Sequence, residues 1–386
     1  MTLQTQPESI AFHFSTLKDP RREHLREHSL IDILLIALCA MLCGAEGFVD
    51  FEQFGKARLE FLRGFLALPN GIPSHDTFAR VFAMLEPARF AECFQRWTEG
   101  LCRAVGAEVV AIDGKSLRRS VDRVNGRSPI HMVSAWALEN RLVLGQIKVD
   151  EKSNEVTAIP ELLGALKLAG CIVTIDAMGC QTKIASKIIE AKADYMLALK
   201  GNQSTLHEEV KSFLEDAEAE GFPDIAHGFL KTEEKGHGRV EARCYWICGE
   251  VEWLSHHGKW EGLRSIGMVE STRTVGGKTS VERRFYITSL EPDVKQFARA
   301  VRGHWGIENT LHWSLDVSLN EDQSRVRTGH AAENLARLRH ITLNLLLRET
   351  KLKRNFQRIT ARLLGIIHLK INALREIYGA LPASPA

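Results

Sequence analysis

Glu108-Val-Val-Ala-Ile-Asp113 and Cys171-Ile-Val-Thr-Ile-Asp176 are two β-branched runs that each end on an aspartate, followed by a small residue, Gly114 or Ala177. Short apolar runs of this length read as buried strands. A carboxylate at the C-terminal end of such a strand opens onto the crevice where an α/β sheet binds its ligands. On adjacent strands the two acids would lie side by side, repel each other and raise one another's pKa. A divalent cation removes that conflict, and hard oxygen ligands suit Mg²⁺ or Mn²⁺. The competing fate, for either aspartate alone, is to cap the next turn or helix.

The flanking sequence supplies the rest of a sheet. Residues 129–138 and 141–149 are strand-like and are joined by Glu139-Asn140 as a tight hairpin. Residues 161–168 and 181–193 have the helical period, and 194–199 form a further strand. Strand, hairpin partners, helix, strand, helix, strand is the order of an α/β mixed sheet with helices on its faces. More narrowly it is the ribonuclease-H-like arrangement, whose first three strands form a meander.

From Gly201 the pattern loosens. An acidic helix leads to short strands near residues 239–248, 262–272 and 280–287, with Val275-Gly276-Gly277-Lys278 as the turn between the last two. Helical period returns at 293–317, 331–347 and 356–378. The first hundred residues are also helical, at 30–43, 50–66, 75–85 (with Ser74 as N-cap) and 86–103. Two of these helices flank the turn Pro69-Asn70-Gly71-Ile72-Pro73, a weak signal for a DNA-reading helix-turn-helix. The expected organisation is a helical N-terminal domain (1–105), a ribonuclease-H-like core (106–203 and 286–325) interrupted by a β-rich insertion (204–285), and a basic helical C-terminal region (326–386).

Bulk composition excludes little. The chain of 386 residues is 45% hydrophobic and 25% charged with a net charge of +2, an ordinary globular balance. Charge is unevenly spread: residues 326–377 hold eleven Lys/Arg against three acids, while 206–224 are acidic. A local basic excess is what a phosphate-facing surface looks like, and equally what a solvated helix face looks like. None of the eight cysteines forms a C-x-x-C pair and several sit in apolar runs, which points to reduced, buried thiols in a cytoplasmic, nucleoid-associated protein. The polar first residues are unlike a signal peptide, and the longest apolar run, 31–43, is too short to cross a bilayer, so no membrane partner is expected. Gly277-Lys278-Thr279 resembles the end of a phosphate-binding loop, but Thr272 stands where the first glycine belongs and a strand comes next, so no nucleotide cofactor is expected.

A third acid stands out in Val301-Arg-Gly-His-Trp-Gly-Ile-Glu308-Asn-Thr-Leu-His-Trp-Ser-Leu-Asp316. On a regular helix His304, Glu308 and His312 share one stripe, with Trp305 beside it. The stripe reads as a site. A zinc reading is weak, because the spacing is not H-E-x-x-H. The bland reading makes Trp305 and Trp313 core aromatics and pairs Glu308 with a basic neighbour.

With these residues in view the chain resembles the DDE transposases of bacterial insertion sequences, in the H-repeat-associated branch. The stretches that carry the resemblance are Gly71-Ile-Pro-Ser-His-Asp-Thr-Phe78, Ala111-Ile-Asp-Gly-Lys115, Thr174-Ile-Asp-Ala-Met178 and Ala198-Leu-Lys-Gly-Asn-Gln203. Further along are His237-Gly-Arg239 with Glu241 and Arg243, His304-Trp-Gly-Ile-Glu-Asn309, Leu311-His-Trp313 and Leu315-Asp-Val317. They run in order over nearly the whole chain. The resemblance implies Asp113, Asp176 and Glu308 as catalytic, metal-binding triad for two Mg²⁺ (or Mn²⁺) ions. Asp113 would bridge both ions. Water would attack at the element's end, and the freed 3′-hydroxyl would then attack target DNA.

Lys115, Asn202, Gln203, His237 and Arg239 are expected near phosphates, where they give position more than sequence specificity. His304 and Trp305 are candidate DNA contacts as well, Trp305 either by stacking on a displaced base or, alternatively, as a core aromatic. Related transposases carry a Tyr-Arg-Glu-Lys signature around the third acid, which this chain does not keep: Val301, His304 and Leu315 occupy the other three positions. The expected partners are double-stranded DNA, both terminal inverted repeats and target, and a second copy of the chain on DNA. The alternatives are a stand-alone nuclease of the same fold and a catalytically silent, domesticated DNA-binding protein.

Overall fold

The computed structural model describes residues 9–102, 108–121, 128–150, 153–236 and 239–348. Five strands make the half of the sheet that the sequence announces. They are β1 (Val109–Ser116), β2 (His131–Ala137), β3 (Leu142–Lys148), β4 (Ile172–Ile175) and β5 (Asp194–Leu199). The first three form the antiparallel meander, and β1, β4 and β5 run parallel. This is the ribonuclease-H-like arrangement.

The later β-rich residues do not build a sheet of their own. β6 (His227–Gly236), β7 (Arg239–Cys248), β8 (Ser265–Val275) and β9 (Lys278–Thr288) continue the first one, and the spatial order is β3-β2-β1-β4-β5-β9-β8-β7-β6. The join is antiparallel, with Leu199 of β5 opposite Phe285 of β9. β8 and β9 close through Gly276 and Gly277 at φ 55° and 77°, the two positive values a two-residue hairpin turn needs. β6 has no counterpart among the strands expected from the sequence. It is an edge strand with a mostly exposed, charged sequence, and edge strands carry charge to prevent further pairing, which erases the apolar alternation a strand is read from.

Alternation assigns residues to faces. Val110, Ile112, Val173 and Ile175 point to the side covered by α7 (Glu155–Ala165), α8 (Thr182–Glu190) and α9 (Ser204–Glu220). Val109, Ile172, Met196, Tyr245 and Tyr286 point to the other side, covered by α10 (Val294–Gly306). α7 begins six residues before the expected start at 161, because Pro160 lies inside the helix rather than before it.

The N-terminal helices are α1 (Ile10–Phe14), α2 (Leu30–Leu42), α3 (Phe48–Ala57), α4 (Leu59–Arg63), α5 (His75–Met84) and α6 (Pro87–Leu101). Ser9, Ser29 and Ser74 cap α1, α2 and α5 through their hydroxyls. The single helix expected over 50–66 is two, broken at Arg58. These helices share one hydrophobic cluster with Ala111, Trp136 and Val143 of the sheet and with Leu335, Leu338 and Leu343 of α12 (Ala331–Arg348).

α12 is buried almost throughout. Asn334 donates to the carbonyls of Phe82 and Leu85, while Asn344 both donates to and accepts from the Val143 backbone. Its Arg337 and Arg339 are 1% exposed, so this part of the basic C-terminal stretch is core and not a phosphate-facing surface. The charge count could not reveal this, since a count does not show that Glu333 and, from outside the stretch, Glu321 sit against those arginines. The helix expected over 356–378 lies outside the described residues. All eight cysteines are free thiols. Among the described residues no helix is long and apolar enough to cross a membrane.

Candidate active site

Pairing between β1 and β4 ends at Ile112 opposite Ile175, so Asp113 and Asp176 are the next residues on neighbouring strands. Both fall on the α10 side by alternation with Val109 and Ile172. Asp113 does not end β1. The strand runs on to Ser116 against β2 alone, which leaves the β4 side of Asp113 open.

Asp113 is raised to about 7 by burial first, and further by the charges of Asp176, Glu155 and Glu308, against a lowering hydrogen bond from the Gly114 amide. That repulsion places all four carboxylates in one electrostatic neighbourhood. Asp113 Oδ1 accepts from Gly114 N at 2.9 Å, and Oδ2 lies 3.6 Å from His312 Nδ1. Asp176 accepts from the amides of Met178 and Gly179 through Oδ1, at 3.0 and 3.3 Å, capping the turn at 177–179. Asp176 therefore caps this turn through one oxygen, while the other makes no hydrogen bond to the described residues.

Glu308 arrives from beyond the end of α10, where the helix changes pitch. Residues Ile307–His312 form a π-helical turn before α11 (Trp313–Val317). The wider turn breaks the stripe read from the sequence. His304 and His312 go inward, to Thr174 and Asp113, while Glu308 stays exposed. Such inserted turns concentrate at functional sites.

The other expected residues have definite partners. His304 Nδ1 is 3.0 Å from the Thr174 hydroxyl, and burial holds its pKa below the usual imidazole value. It faces the sheet as a neutral ring rather than reaching out as a cation. Trp305 is half-buried, with the Arg284 guanidinium 4.4 Å above its ring. Lys115 is enclosed by Asp316, Glu321 and Asp322 at 2.7, 3.1 and 3.1 Å. It pins β1 to the chain after α11. Asn202 and Gln203 donate to the carbonyls of Ala177 and Cys180, at 2.6 and 2.9 Å, and so brace the turn after Asp176. Arg239 is exposed at the start of β7. His237 lies outside the described residues.

Two neighbours, Glu155 and His131, escaped the sequence reading. Glu155 opens α7 and binds His131 Nε2 at 2.6 Å, and His131 Nδ1 meets the Ser116 hydroxyl at 2.8 Å. A Cβ on Gly114 would stand 2.1 Å from Glu155 Oε1 and 2.5 Å from His131 Nε2, so a side chain there would displace that pair. An open cavity of about 320 Å³ adjoins, lined among others by His131, Lys148, Glu155 and Met178. His312 stands out on the stripe, but the sequence gives it no partner. Burial pushes its pKa down to about 4, and its Nε2 has no hydrogen-bond partner among the described residues.

Among the described residues no three His, Cys, Asp or Glu side chains already close around a common point for a metal ion. The donor set nevertheless suits a hard divalent cation. It is all oxygen at Asp113, Asp176 and Glu308, and the repulsion that lifts Asp113 is what a cation relieves.

Residues 105–345 match the family described as Transposase DDE domain, and residues 11–98 match DDE_Tnp_1-associated. The chain is 42% identical over 351 residues to the "H repeat-associated putative transposase YhhI" of Escherichia coli (strain K12), covering 90% of this chain and 92% of that protein. It is 42% identical over 343 residues to the "Putative transposase YncI" of Escherichia coli O157:H7, covering 88% and 87%.

Proposed function

The chain belongs to the Transposase DDE domain family, and from that membership we propose that it cuts DNA at insertion-sequence ends and joins them to target DNA with Asp113, Asp176 and Glu308 as its catalytic carboxylates. Enzymes of this family are polynucleotidyl transferases that act on DNA and use divalent metal ions. The observation that carries the residue assignment is geometric: Asp113 and Asp176 are the next residues beyond the last pair of two parallel strands, and Asp113 is raised to about 7 by burial and then by the charges of Asp176, Glu155 and Glu308.

Asp113, Asp176 and Glu308 would together hold two Mg²⁺ or Mn²⁺ ions. Bound there, the ions supply activation of the attacking oxygen and stabilisation of the leaving one. The chain's own side chains hold the geometry. His312 backs the carboxylate of Asp113 as a neutral ring and adds no competing charge. His304 ties α10 to β4 beside Asp176 through Thr174. Lys115 fixes β1 against the segment after α11, so the strand bearing Asp113 and the helix bearing Glu308 keep one register. The family helices of the first hundred residues and the exposed Arg239 support duplex contact. Two ends joined to one target need two active sites, hence a dimer on DNA.

The test is an end-cleavage and strand-transfer assay on paired duplexes with the full chain and with Asp113→Asn or Glu308→Gln. Each variant is expected to lose at least a thousandfold in cleavage while binding DNA as before, since positioned electrostatic groups contribute at about that level. Normal cleavage by Glu308→Gln would remove Glu308 from the site. Cleavage without joining by the unaltered chain would mark a nuclease, and binding without cleavage a silent DNA-binding protein.

A further inference from the structure

The four added strands make more than a wider sheet. β9 runs antiparallel to β5, and the last pair, Leu199 with Phe285, sits at the end of β5 where the carboxylate crevice opens. From Phe285 back to Lys278, β9 and its neighbours overhang that end by seven residues, roughly 23 Å of strand. An arm therefore projects past the active site, held near its base by α9 through Arg283 and by α10 through Arg284 on Trp305 and Arg302 with Glu234.

Charge on the arm is divided sharply along its length. Near the sheet body every cation has an acid. Lys231 pairs with Glu233, Arg243 with Glu234 and Glu241, Arg283 with Glu215, Glu218 and Glu270, and Arg284 with Glu282. At the tip the acids are already engaged in those pairs. Arg239, Arg273 and Lys278 are exposed there and have no ion-pair partner among the described residues.

Their face is fixed by register. Tyr245 of β7, Val269 of β8 and Tyr286 of β9 pack on the α10 side. Alternation puts Arg239, Arg273 and Lys278 on that same side, which is also the side of Asp113 and Asp176. Arg239 stands opposite Val275, which stands opposite Lys278, and Arg273 lies one step inward opposite Ser280. Lys235, also exposed and without an ion pair among the described residues, stands opposite Val240 and belongs to the other side.

We propose that the β6–β9 arm is a duplex-DNA clamp, in which Arg239, Arg273 and Lys278 grip the phosphate backbone of the double helix whose strand lies in the carboxylate crevice. The proposal rests on the DNA-cutting reading and adds the surface that holds the duplex beside the cut. The occupant is a polyanion by charge complementarity: three cations without an ion-pair partner among the described residues, with Val275 and Ser280 between them and with Glu241, opposite Arg273, already held by Arg243, form a strip that suits sugar-phosphate contact and carries no base-reading geometry. Its reach covers more than half of a helical turn of B-DNA (~34 Å).

The test uses the full chain and a fluorescent mixed-sequence duplex about 30 base pairs long, since phosphate contacts are indifferent to sequence. Binding is measured across a salt series for the unaltered chain, for Arg273→Glu/Lys278→Glu, and for Lys235→Glu on the opposite face. The double variant is expected to bind at least tenfold more weakly, with the slope of log K against log salt reduced by about two. Lys235→Glu is expected to leave the slope within about half a unit of the original, although it changes net charge at the same tip. At saturating duplex, end cleavage by the double variant is expected to keep its rate, with the loss confined to KM. An unchanged affinity and slope in the double variant overturns the clamp, as does an equal effect from Lys235→Glu. The cutting reading stands or falls separately, on Asp113→Asn.

Discussion

Asp113 is the residue at which pH should act first. Its pKa of about 7 in the folded chain is well above that of an unfolded aspartate, about 3.9, because burial and three neighbouring carboxylates oppose its charge. An acid with a raised folded pKa binds its proton more tightly when folded. Its presence therefore costs stability progressively as pH rises from about 4 to about 7, and the cost is constant above that. In the absence of divalent metal, Asp113→Asn should be more stable than the unaltered chain, by an amount that grows across this window and reaches a few kcal/mol at neutral pH. Thermal melts in EDTA from pH 4 to 8 measure it, and parallel Tm curves for the two proteins would contradict the assignment. Adding Mn²⁺ at pH 7.5 should raise the Tm of the unaltered chain and leave the variant's Tm nearly unmoved. The two aspartates were legible because each closes an apolar run. Glu155 and His131 were not, since nothing local in Ser153-Asn154-Glu155 or at the start of β2 signals a site, and their closeness to Asp113 is created by the pairing of β1 with β2 and the docking of α7. The single local trace of that closeness is Gly114, whose missing side chain leaves room for Glu155 and His131.

At the scale of elements, the departure from regular helix at Ile307–His312 is what sends Glu308 and His312 to different environments. A π-turn holds one residue more than the α-turn it replaces. Deleting Thr310 should let α10 and α11 run on as ordinary helix, leaving α11 in phase but removing the widened turn that gives Glu308 and His312 their separate directions. Cleavage should fall to background. The far-UV circular dichroism should stay close to that of the unaltered chain, and unchanged cleavage would show that the widened turn has no part in the site. Sequence periodicity could not reveal this turn, because one extra residue alters the phase without altering composition. Pro160 misled in a similar way, since a proline reads as a helix boundary although α7 passes through it. The strands of the central sheet were legible for the opposite reason: buried on both faces, they must be apolar throughout.

Across the whole molecule, the division between a helical first hundred residues and a catalytic remainder is clear in the sequence but absent from the packing. α1 to α6 bury their apolar faces against Trp136 and Val143 of the sheet and against α12, so one core serves both parts. The composition of α12 disguised this. Arg337, Arg339, His340, Asn334 and Asn344 are polar residues in its interior-facing positions: the end of α5 and β3 supply the partners of the two asparagines, Glu333 and Glu321 face the arginines, and His340 is buried with no hydrogen-bond partner among the described residues. Asn344→Ala should then leave the Val143 amide and carbonyl unpaired in the core and cost about 2–4 kcal/mol, read from the urea midpoint at unchanged m-value. The same shared core makes a stronger demand. A fragment starting at residue 108 keeps every proposed catalytic carboxylate, yet it would expose Ala111, Trp136, Val143, Leu335 and Leu338 to water. It should bind a hydrophobic dye, lack a cooperative melt and cleave nothing. A fragment that instead unfolds cooperatively and cuts DNA would mean that the helices are a detachable module, and the carboxylates, the arm and α12 a self-sufficient enzyme.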